Sequence, residues 1–525
     1  IKVCSHSGGY LPFDTDITDI LKSTATKTSF RLTVRVKDFS DTSYHARGKQ
    51  SLNPKRMFYT AQSGIWQTVW LEYVPEIYIK KIIAKPDFDT KVLRIKVVTN
   101  SDNTENNFYY ISEAEKKHDN CQINKNDTKI SGGKSTIHRN RLTKTNEIKV
   151  CINNPDIYID IPDDKTQADS THDELYKDSP YAPFTYYGIS DTFIEIPLDK
   201  LDIKAWTPDT PYLYTFSVNL GKDYVQNYFA LRTFTIEKDA NDIPRICLNH
   251  RPIFQKGVLD QGYWPDGLYT PPCDNALIYD IKTMKSLGFN MLRKHIKIEN
   301  DRWYYHCDRL GMIVWQDMVN SGSRYKSWFV TYLATFMSLF DISCSDNFNH
   351  LFARTSKKGR KEFIKETMQT IDTLSNHPSI AAWVIFNEGW GQFETNKITK
   401  LVRKADNSRL IDQASGWFDQ DGGDIKSIHN YFFPLRLFKK ENRAYALTEY
   451  GGYTQIIKHH NTTNKCYGYG DCKNSKELKK RYKQREKEVS TLIPKGLCAS
   501  IYTQLSDVEN ELNGILTYDR AVNKF

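Results

Sequence analysis

Two short stretches end apolar runs in residues that could do chemistry. In "WVIFNEGWGQFE", residues 383–394, an uninterrupted apolar run stops at Asn387 and Glu388, just before Gly389. Further on, "AYALTEYG" delivers Glu449 and Tyr450 in the same way. Burying polar side chains costs free energy unless they are bonded or used. Two carboxyl groups from different strands that face one pocket equip a protein to cleave a glycosidic bond. One protonates the leaving oxygen; the other attacks the anomeric carbon or activates water. Other runs end in Asp260, His295, Asp317, Ser415, His429 with Tyr431, and Gln504. Each of these also has a structural reading. Glu388 can cap the helix that follows it. His295, between Arg293 and Lys297, can be a hydrogen-bonded structural histidine, and His429 can serve either purpose. Asp260 and Asp317 can bind a helix end or a neighbouring arginine. The pair His459–His460 reads as a loop, with no metal ligation expected.

Those residues need a fold that gathers strand ends. After Asp239, short apolar runs alternate with amphipathic segments of helical length: "FQKGVLD", "NMLRKHI", "MIVWQDM", "IAAWVIFNE", "LIDQASG", "IKSIHNY", "AYALTEYG" and "CASIYTQLSD" are the runs. Eight strands separated by crossovers predict a (β/α)8 TIM barrel over residues 239–525, whose strands present their C-terminal ends to one site. A doubly wound sheet would carry a Gly-rich phosphate turn, and none follows any strand. Before the barrel the pattern is β. "FRLTVRVKD" alternates, and "TAQSGIWQTVWLEYV" places a turn before a strand. Runs such as "KVLRIKVVTN" and "LYTFSVNL" predict a β-sandwich over residues 76–238. Polar stretches at 101–146 and 163–178 read as a long hairpin or insertions.

Composition narrows the partners. A chain of 525 residues holds two or three domains. The net charge of +10 raises nucleic acid as a partner, but the densest basic stretch, residues 476–488, interleaves acids and has Leu478 and Tyr482 at helical spacing. It reads as the solvated face of a helix, so no nucleic-acid partner is expected. No run reaches the roughly 18 to 20 apolar residues of a membrane span; the nearest is residues 328–340. Nothing at the first residues reads as a signal peptide, and localisation stays open. The 10 cysteines include no CxxC and read as mostly buried free thiols, although Cys466 with Cys472, and Cys121 with Cys151, could pair. The sequons at Asn126 and Asn461 decide nothing.

The stretches "HSGGYLPFDTDITDIL", "YTAQSGIWQTVWLE", "GVLDQGYWPDGLYTPP", "HPSIAAWVIFNEGWGQFE", "ASGWFDQDGGDIKSIHNY" and "LTEYGGY" resemble glycoside hydrolase family 2, the family of β-galactosidases, β-glucuronidases and β-mannosidases. The resemblance implies a partial jelly-roll sugar-binding domain over residues 1–75, an immunoglobulin-like sandwich over 76–238 and a catalytic barrel over 239–525. It implies a retaining exo-β-glycosidase with no cofactor and no metal, a carbohydrate substrate, and a possible homo-oligomer. Position by position, Glu388 matches the family's general acid/base, Glu449 its nucleophile, and Asn387 the amide that binds the sugar 2-hydroxyl. Asp260, Arg293, His295, Trp390, His429 and Tyr431 fall where the family lines its sugar pocket. An asparagine-x-lysine motif for a uronate carboxylate does not follow Glu449, so a β-galactoside is the default substrate. The rival expectations are a carbohydrate-binding protein without turnover and a metal-dependent barrel hydrolase using His295, Asp317 and His429.

Overall fold

The computed structural model describes residues 2–23, 29–101, 147–152, 184–438, 441–463 and 465–525. All of the polar stretch 101–146 except Ser101, the stretch 163–178, Cys121 and the sequon at Asn126 lie outside the described residues.

Eight parallel strands form the barrel. They are β1 (Gln255–Asp260), β2 (Met291–Lys294), β3 (Ile313–Asp317), β4 (Ile380–Asn387), β5 (Leu410–Ser415), β6 (Ile425–Asn430), β7 (Ala444–Gly451) and β8 (Leu497–Thr503). The ladder runs β5-β4-β3-β2-β1-β8-β7-β6. Between β5 and β6 there is no ladder, only a backbone bond from Asp424 N to Ile411 O at 2.8 Å. Apart from one residue of β1 and two of β6 that are half-buried, every strand residue is buried. This is why the runs read as continuously apolar rather than alternating.

Helices α1 (Asp274–Ser286), α2 (Asp301–Leu310), α3 (Lys357–Leu374), α4 (Thr395–Ala405) and α5 (Ser475–Leu492) lie between the strands. Their ends follow local chemistry. Asn300 caps α2 by accepting from Trp303 N, and Gly311 closes that helix in the left-handed region. The basic stretch is α5, capped by Asn474 and buried only along Leu478, Arg485, Val489 and Leu492. It is the solvated helix its spacing predicts. Residues 328–340 are part of the β3–α3 connection, as two short helical pieces, Trp328–Leu333 and Ala334–Ser338. Phe329, Val330 and Ala334 are buried with Phe352, Trp390 and Phe418. No helix among the described residues is long and apolar enough to cross a membrane.

The contacts divide the chain into two compact units. One holds residues 1–69, 205–212 and 232–525, and the other 70–204 and 213–231. In the second unit, Ile79–Asp87, Val92–Thr99 and Phe193–Pro197 form one antiparallel sheet. Phe184–Ile189, Glu147–Ile152, Tyr214–Leu220 and Asp223–Phe229 form the other. Burial alternates along Val92–Thr99, with Leu93, Ile95 and Val97 inward. That period of two is the signature of a half-buried sheet. Strand Phe234–Lys238 lies in the barrel's unit, paired with Pro244–Leu248.

Residues 1–69 depart from the strand expectation. Among the described ones, the only regular elements are a helix (Thr18–Ser23), a single helical turn at Ser40–Thr42 and a two-residue parallel pair, Gln50–Ser51 with Tyr59–Thr60. "FRLTVRVKD" forms no strand, and Phe30, Leu32, Val34 and Val36 are exposed. "TAQSGIWQTVWLEYV" contributes only Thr60 to a strand. Alternation stabilises a strand only when a second segment satisfies its backbone; no described segment pairs with the first stretch, and only Ser51 pairs with the start of the second. By contrast, Arg47, Gly48 and Lys49 are tied to the barrel: Arg47 N and Gly48 N donate to Asn320 O at 3.0 and 3.2 Å. All nine described cysteines are free thiols, Cys466 and Cys472 among them.

Candidate active site

The barrel brings Arg293, Asn387, Glu388, His429, Tyr431 and Glu449 into one hydrogen-bonded set. Arg293 on β2 is its hub. Its guanidinium donates to both oxygens of Asp317 (2.9 and 3.0 Å), to Asn387 Oδ1 (2.8 Å) and to Glu449 Oε1 (3.3 Å). Burial opposes the charge of Arg293, but Asp317 and Glu449 outweigh it and hold the group protonated. One side chain thus ties the ends of β2, β3, β4 and β7 together.

Local backbone aims the two glutamates. After β4 the chain turns through left-handed residues, Glu388 at φ 51° and Gly389 at φ 69°. A Cβ at Gly389 would lie 2.5 Å from the Phe418 ring, so glycine is required there by conformation and by space. Glu388 N donates to Ser415 O at 3.0 Å, which fixes the kink against β5. On β7 the register shifts where Ile428 pairs with Leu447 and His429 pairs with Glu449. Thr448 is the extra residue, and the bulge sets Glu449 opposite His429.

His429 lies between the carboxyls. Its Nδ1 is 2.9 Å from Glu388 Oε1, and its Nε2 is 3.1 Å from Ser415 Oγ and 3.6 Å from Glu449 Oε1. A carboxylate oxygen from each glutamate and a His429 nitrogen fall within 4.8 Å of one another. Such a trio has the residue types of a metal site. Here both ring nitrogens are already engaged, Nδ1 by Glu388 and Nε2 by Ser415.

The two carboxyls differ in charge preference. Burial pushes Glu388 up; its bond to His429 opposes this and the charge of Glu449 adds to it. Burial also works against Glu449, but His429, Arg293 and Lys49 together hold it below the ordinary carboxylate range. Tyr431 donates a short hydrogen bond to Glu449 Oε2 and stacks on Tyr469 with centroids 3.6 Å apart. The site can therefore keep one carboxyl protonated beside one that is ionised.

The remaining candidates have other partners. His295 Nδ1 is 2.9 Å from Asp317 Oδ2, and burial and Lys49 keep the ring neutral. Asn387 Nδ2 is buried without a partner, a donor left for a ligand. Trp390 stacks against Phe58 and Tyr325 at 5.4 and 5.7 Å, within the aromatic wall beside the site. Among the described residues no hydrogen bond joins Asp260 to the set; it accepts from Lys294 Nζ (2.7 Å) and Gly262 N (2.8 Å). His460 bonds Asp519 at 2.8 Å.

Lys49 was not legible as a site residue. It is 6 % exposed, its Nζ lies 6.0 Å from the Trp390 ring and 5.7 Å from that of Tyr59, and no carboxylate among the described residues pairs with it. Its charge lowers the proton affinity of His295, Glu388 and Glu449 alike. It lies outside the barrel pattern, in a polar stretch with no periodicity to mark it. Ser415 and Thr448 carried no signal beyond being at strand ends.

Residues 244–485 match the family description "Glycosyl hydrolases family 2, TIM barrel domain". A putative beta-glucuronidase of Formosa agariphila is 21% identical over 482 residues, 89% of this chain and 48% of that protein. A beta-galactosidase of Leuconostoc mesenteroides is 23% identical over 245 residues, 45% of this chain and 21% of that protein. The chain thus spans less than half the length of these curated relatives. Among solved structures, Bacteroides uniformis beta-glucuronidase 3 superposes with a TM-score of 0.65 at 15% identity, over 99% of this chain and 60% of that one. A beta-galacturonidase from Eisenbergiella tayi does so with 0.56 at 15% identity, over 89% and 73%. The superpositions bear on the fold.

Proposed function

We propose, from the premise that the barrel belongs to glycoside hydrolase family 2, that the chain hydrolyses terminal β-linked sugars with retention of configuration. The observation that carries the reading is the Glu388–Glu449 pair, close together and driven to opposite protonation states. A spacing of about 5 to 5.5 Å leaves no room for a water between carboxyls and suits a retaining enzyme, whereas inverting pairs stand about 6.5 to 9.5 Å apart. The approach within 4.8 Å supports the shorter class.

In the first step Glu449 Oε attacks the anomeric carbon while Glu388 gives its proton to the departing oxygen. In the second, Glu388 takes a proton from water, the water oxygen bonds to the anomeric carbon, and Glu449 leaves. Arg293 and Tyr431 bond the nucleophile and hold its oxygens in place. Asn387, with Oδ1 fixed by Arg293, offers Nδ2 to a sugar hydroxyl. A β-galactoside is the first substrate to try. Beta-galactosidases and beta-glucuronidases both occur among the relatives, so uronides belong in the same panel.

The test is a panel of nitrophenyl β-glycosides, with product configuration read by proton NMR. Glu449→Ala should abolish turnover of every substrate that is cleaved. Glu388→Ala should still release good leaving groups, with azide accelerating breakdown of the intermediate. An inverted product, or a binding signal with no turnover of any β-glycoside, would overturn the proposal.

A further inference from the structure

Five lysines are buried among the described residues: Lys49, Lys294, Lys297, Lys426 and Lys524. Four of them hold a carboxylate. Lys294 meets Asp260 and Lys297 meets Glu299 at 2.7 Å, Lys426 meets Asp341 at 2.8 Å, and Lys524 meets Asp507 at 2.6 Å. Burial demands this, since an ammonium taken from water needs a counter-charge and partners for its protons. Lys49 has neither. Among the described residues no carboxylate and no hydrogen-bond acceptor meets its Nζ, which faces the rings of Trp390 and Tyr59 at 6.0 and 5.7 Å. At that range aromatic faces attract a cation weakly and supply no counter-charge.

The backbone holds this lysine in place. Arg47 N and Gly48 N donate to Asn320 O, and Tyr59 N donates to Lys49 O at 3.0 Å. Gly48 has φ 59°, and a Cβ there would lie 2.8 Å from Ile296 O, so the segment is seated directly against the chain just past β2. Trp390, on the other side of the ammonium, follows the turn that carries Glu388. The charge is thus placed where His295, Glu388 and Glu449 all feel it. Neither glutamate is its missing partner: Glu449 is bonded by Arg293 and Tyr431, and Glu388 by His429. Two amides nearby in the chain's contacts are also unsatisfied. Asn387 Nδ2 has no partner, and Asn320, which anchors the Lys49 segment, keeps both side-chain amide atoms buried without one.

We propose that Lys49 is the anion-binding residue of the sugar pocket, and that the sugar cleaved carries its own negative group, a uronic carboxylate or a sulfate ester. This rests on reading the Glu388–Glu449 pair as a glycosidase site. The substrate then brings the counter-charge that the fold leaves out. A neutral sugar would cover the ammonium and leave it unpaired, so selectivity comes from the penalty on the wrong sugar as well as from the contact with the right one.

The test uses nitrophenyl β-glycosides that differ in one group: glucuronide with glucoside, galacturonide with galactoside, and galactoside 6-sulfate with galactoside. In the wild type, kcat/KM should favour the acidic member of a pair by about a hundredfold or more. In Lys49→Met that ratio should fall by at least about tenfold, and Lys49→Arg should keep most of it. The ratio discriminates because the effect of Lys49 on the glutamates reaches both members of a pair and cancels, as would a loss of packing. Preference for the uronides assigns the carboxylate, and preference for the 6-sulfate assigns the sulfate ester. A neutral preference in the wild type, or an acidic preference that Lys49→Met leaves unchanged, would overturn the inference while the proposed function stands. Calorimetric titration with free glucuronic acid, galacturonic acid, galactose 6-sulfate and the neutral sugars reads the same subsite without turnover. An acidic sugar should bind at least about tenfold more tightly than its neutral counterpart, and Lys49→Met should abolish the difference. A wild type that cleaves none of the glycosides refutes the proposed function, and the titration then decides the role of Lys49 by itself.

Discussion

Lys49 adds a positive charge that is felt by both glutamates. Its ammonium stabilises the ionised form of each, so it lowers the proton affinity of Glu449 and of Glu388 together. Removing it as Lys49→Met must therefore raise both. On the acidic side, activity appears as the pair loses its first proton, and that limb should move to higher pH. On the alkaline side, activity disappears as the acid ionises, and that limb should move the same way. The kcat/KM profile should thus translate upward in pH as a whole, with the two apparent values belonging to the pair. A profile that stays put, or narrows from one side only, would show that Lys49 does not act on the pair. At this scale the sequence was legible where side-chain type and strand end coincided, as at Glu388, Glu449, Asn387 and His429. It was silent on Lys49, because a buried cation delivered by an irregular segment leaves no periodic trace.

Turns and bulges, more than the strands themselves, determine where the carboxyls point. The turn after β4 needs Gly389 at φ 69° with the Phe418 ring close against it. Gly389→Ala meets both a conformational and a steric cost, and should destabilise the barrel by about 2 to 4 kcal/mol. The melting temperature should drop, and kcat with it, because Glu388 is carried on the same turn. Unchanged melting would mean that the turn relaxes freely. The eight barrel strands were readable because burial on both faces makes each an apolar run of strand length. "FRLTVRVKD" misled for the converse reason: alternation records a tendency, and pairing needs a second segment. The bulge at Thr448 was unreadable, since one extra residue in a buried strand looks like any other.

Over the whole molecule, residues 1–69 behave as two different kinds of chain. Around Arg47 to Tyr59 they are pinned, with Tyr59 bonded to Glu511 and Arg47 to the carbonyls of Gly322 and Ser323. Phe30, Leu32, Val34 and Val36 are instead about half exposed or more, and Leu32 is 71 % exposed. A row of exposed, alternating apolar residues invites another chain to pair with it. Light scattering should detect concentration-dependent association, and a Leu32→Lys, Val34→Lys double variant should suppress it without loss of turnover. Association that survives those charges would place the contact elsewhere.

The missing ladder between β5 and β6 makes the barrel a ring with a seam. Across that seam run side chains: Ser415 to His429 at the top, and Ser427 to Asp412 below. A ring fastened by side chains opens more easily there than where backbone amides pair. Amides of β5 and β6 should accordingly lose their protons to heavy water sooner than those of β2 and β3, as mass spectrometry of peptides would record. A mechanism-based inhibitor fixed on Glu449 should slow that loss at the seam before anywhere else, and uniform protection of all eight strands would rule the seam out. The Ser415–His429 contact would then also be the buckle of the barrel, so that tightening the grip on substrate and closing the fold become one event.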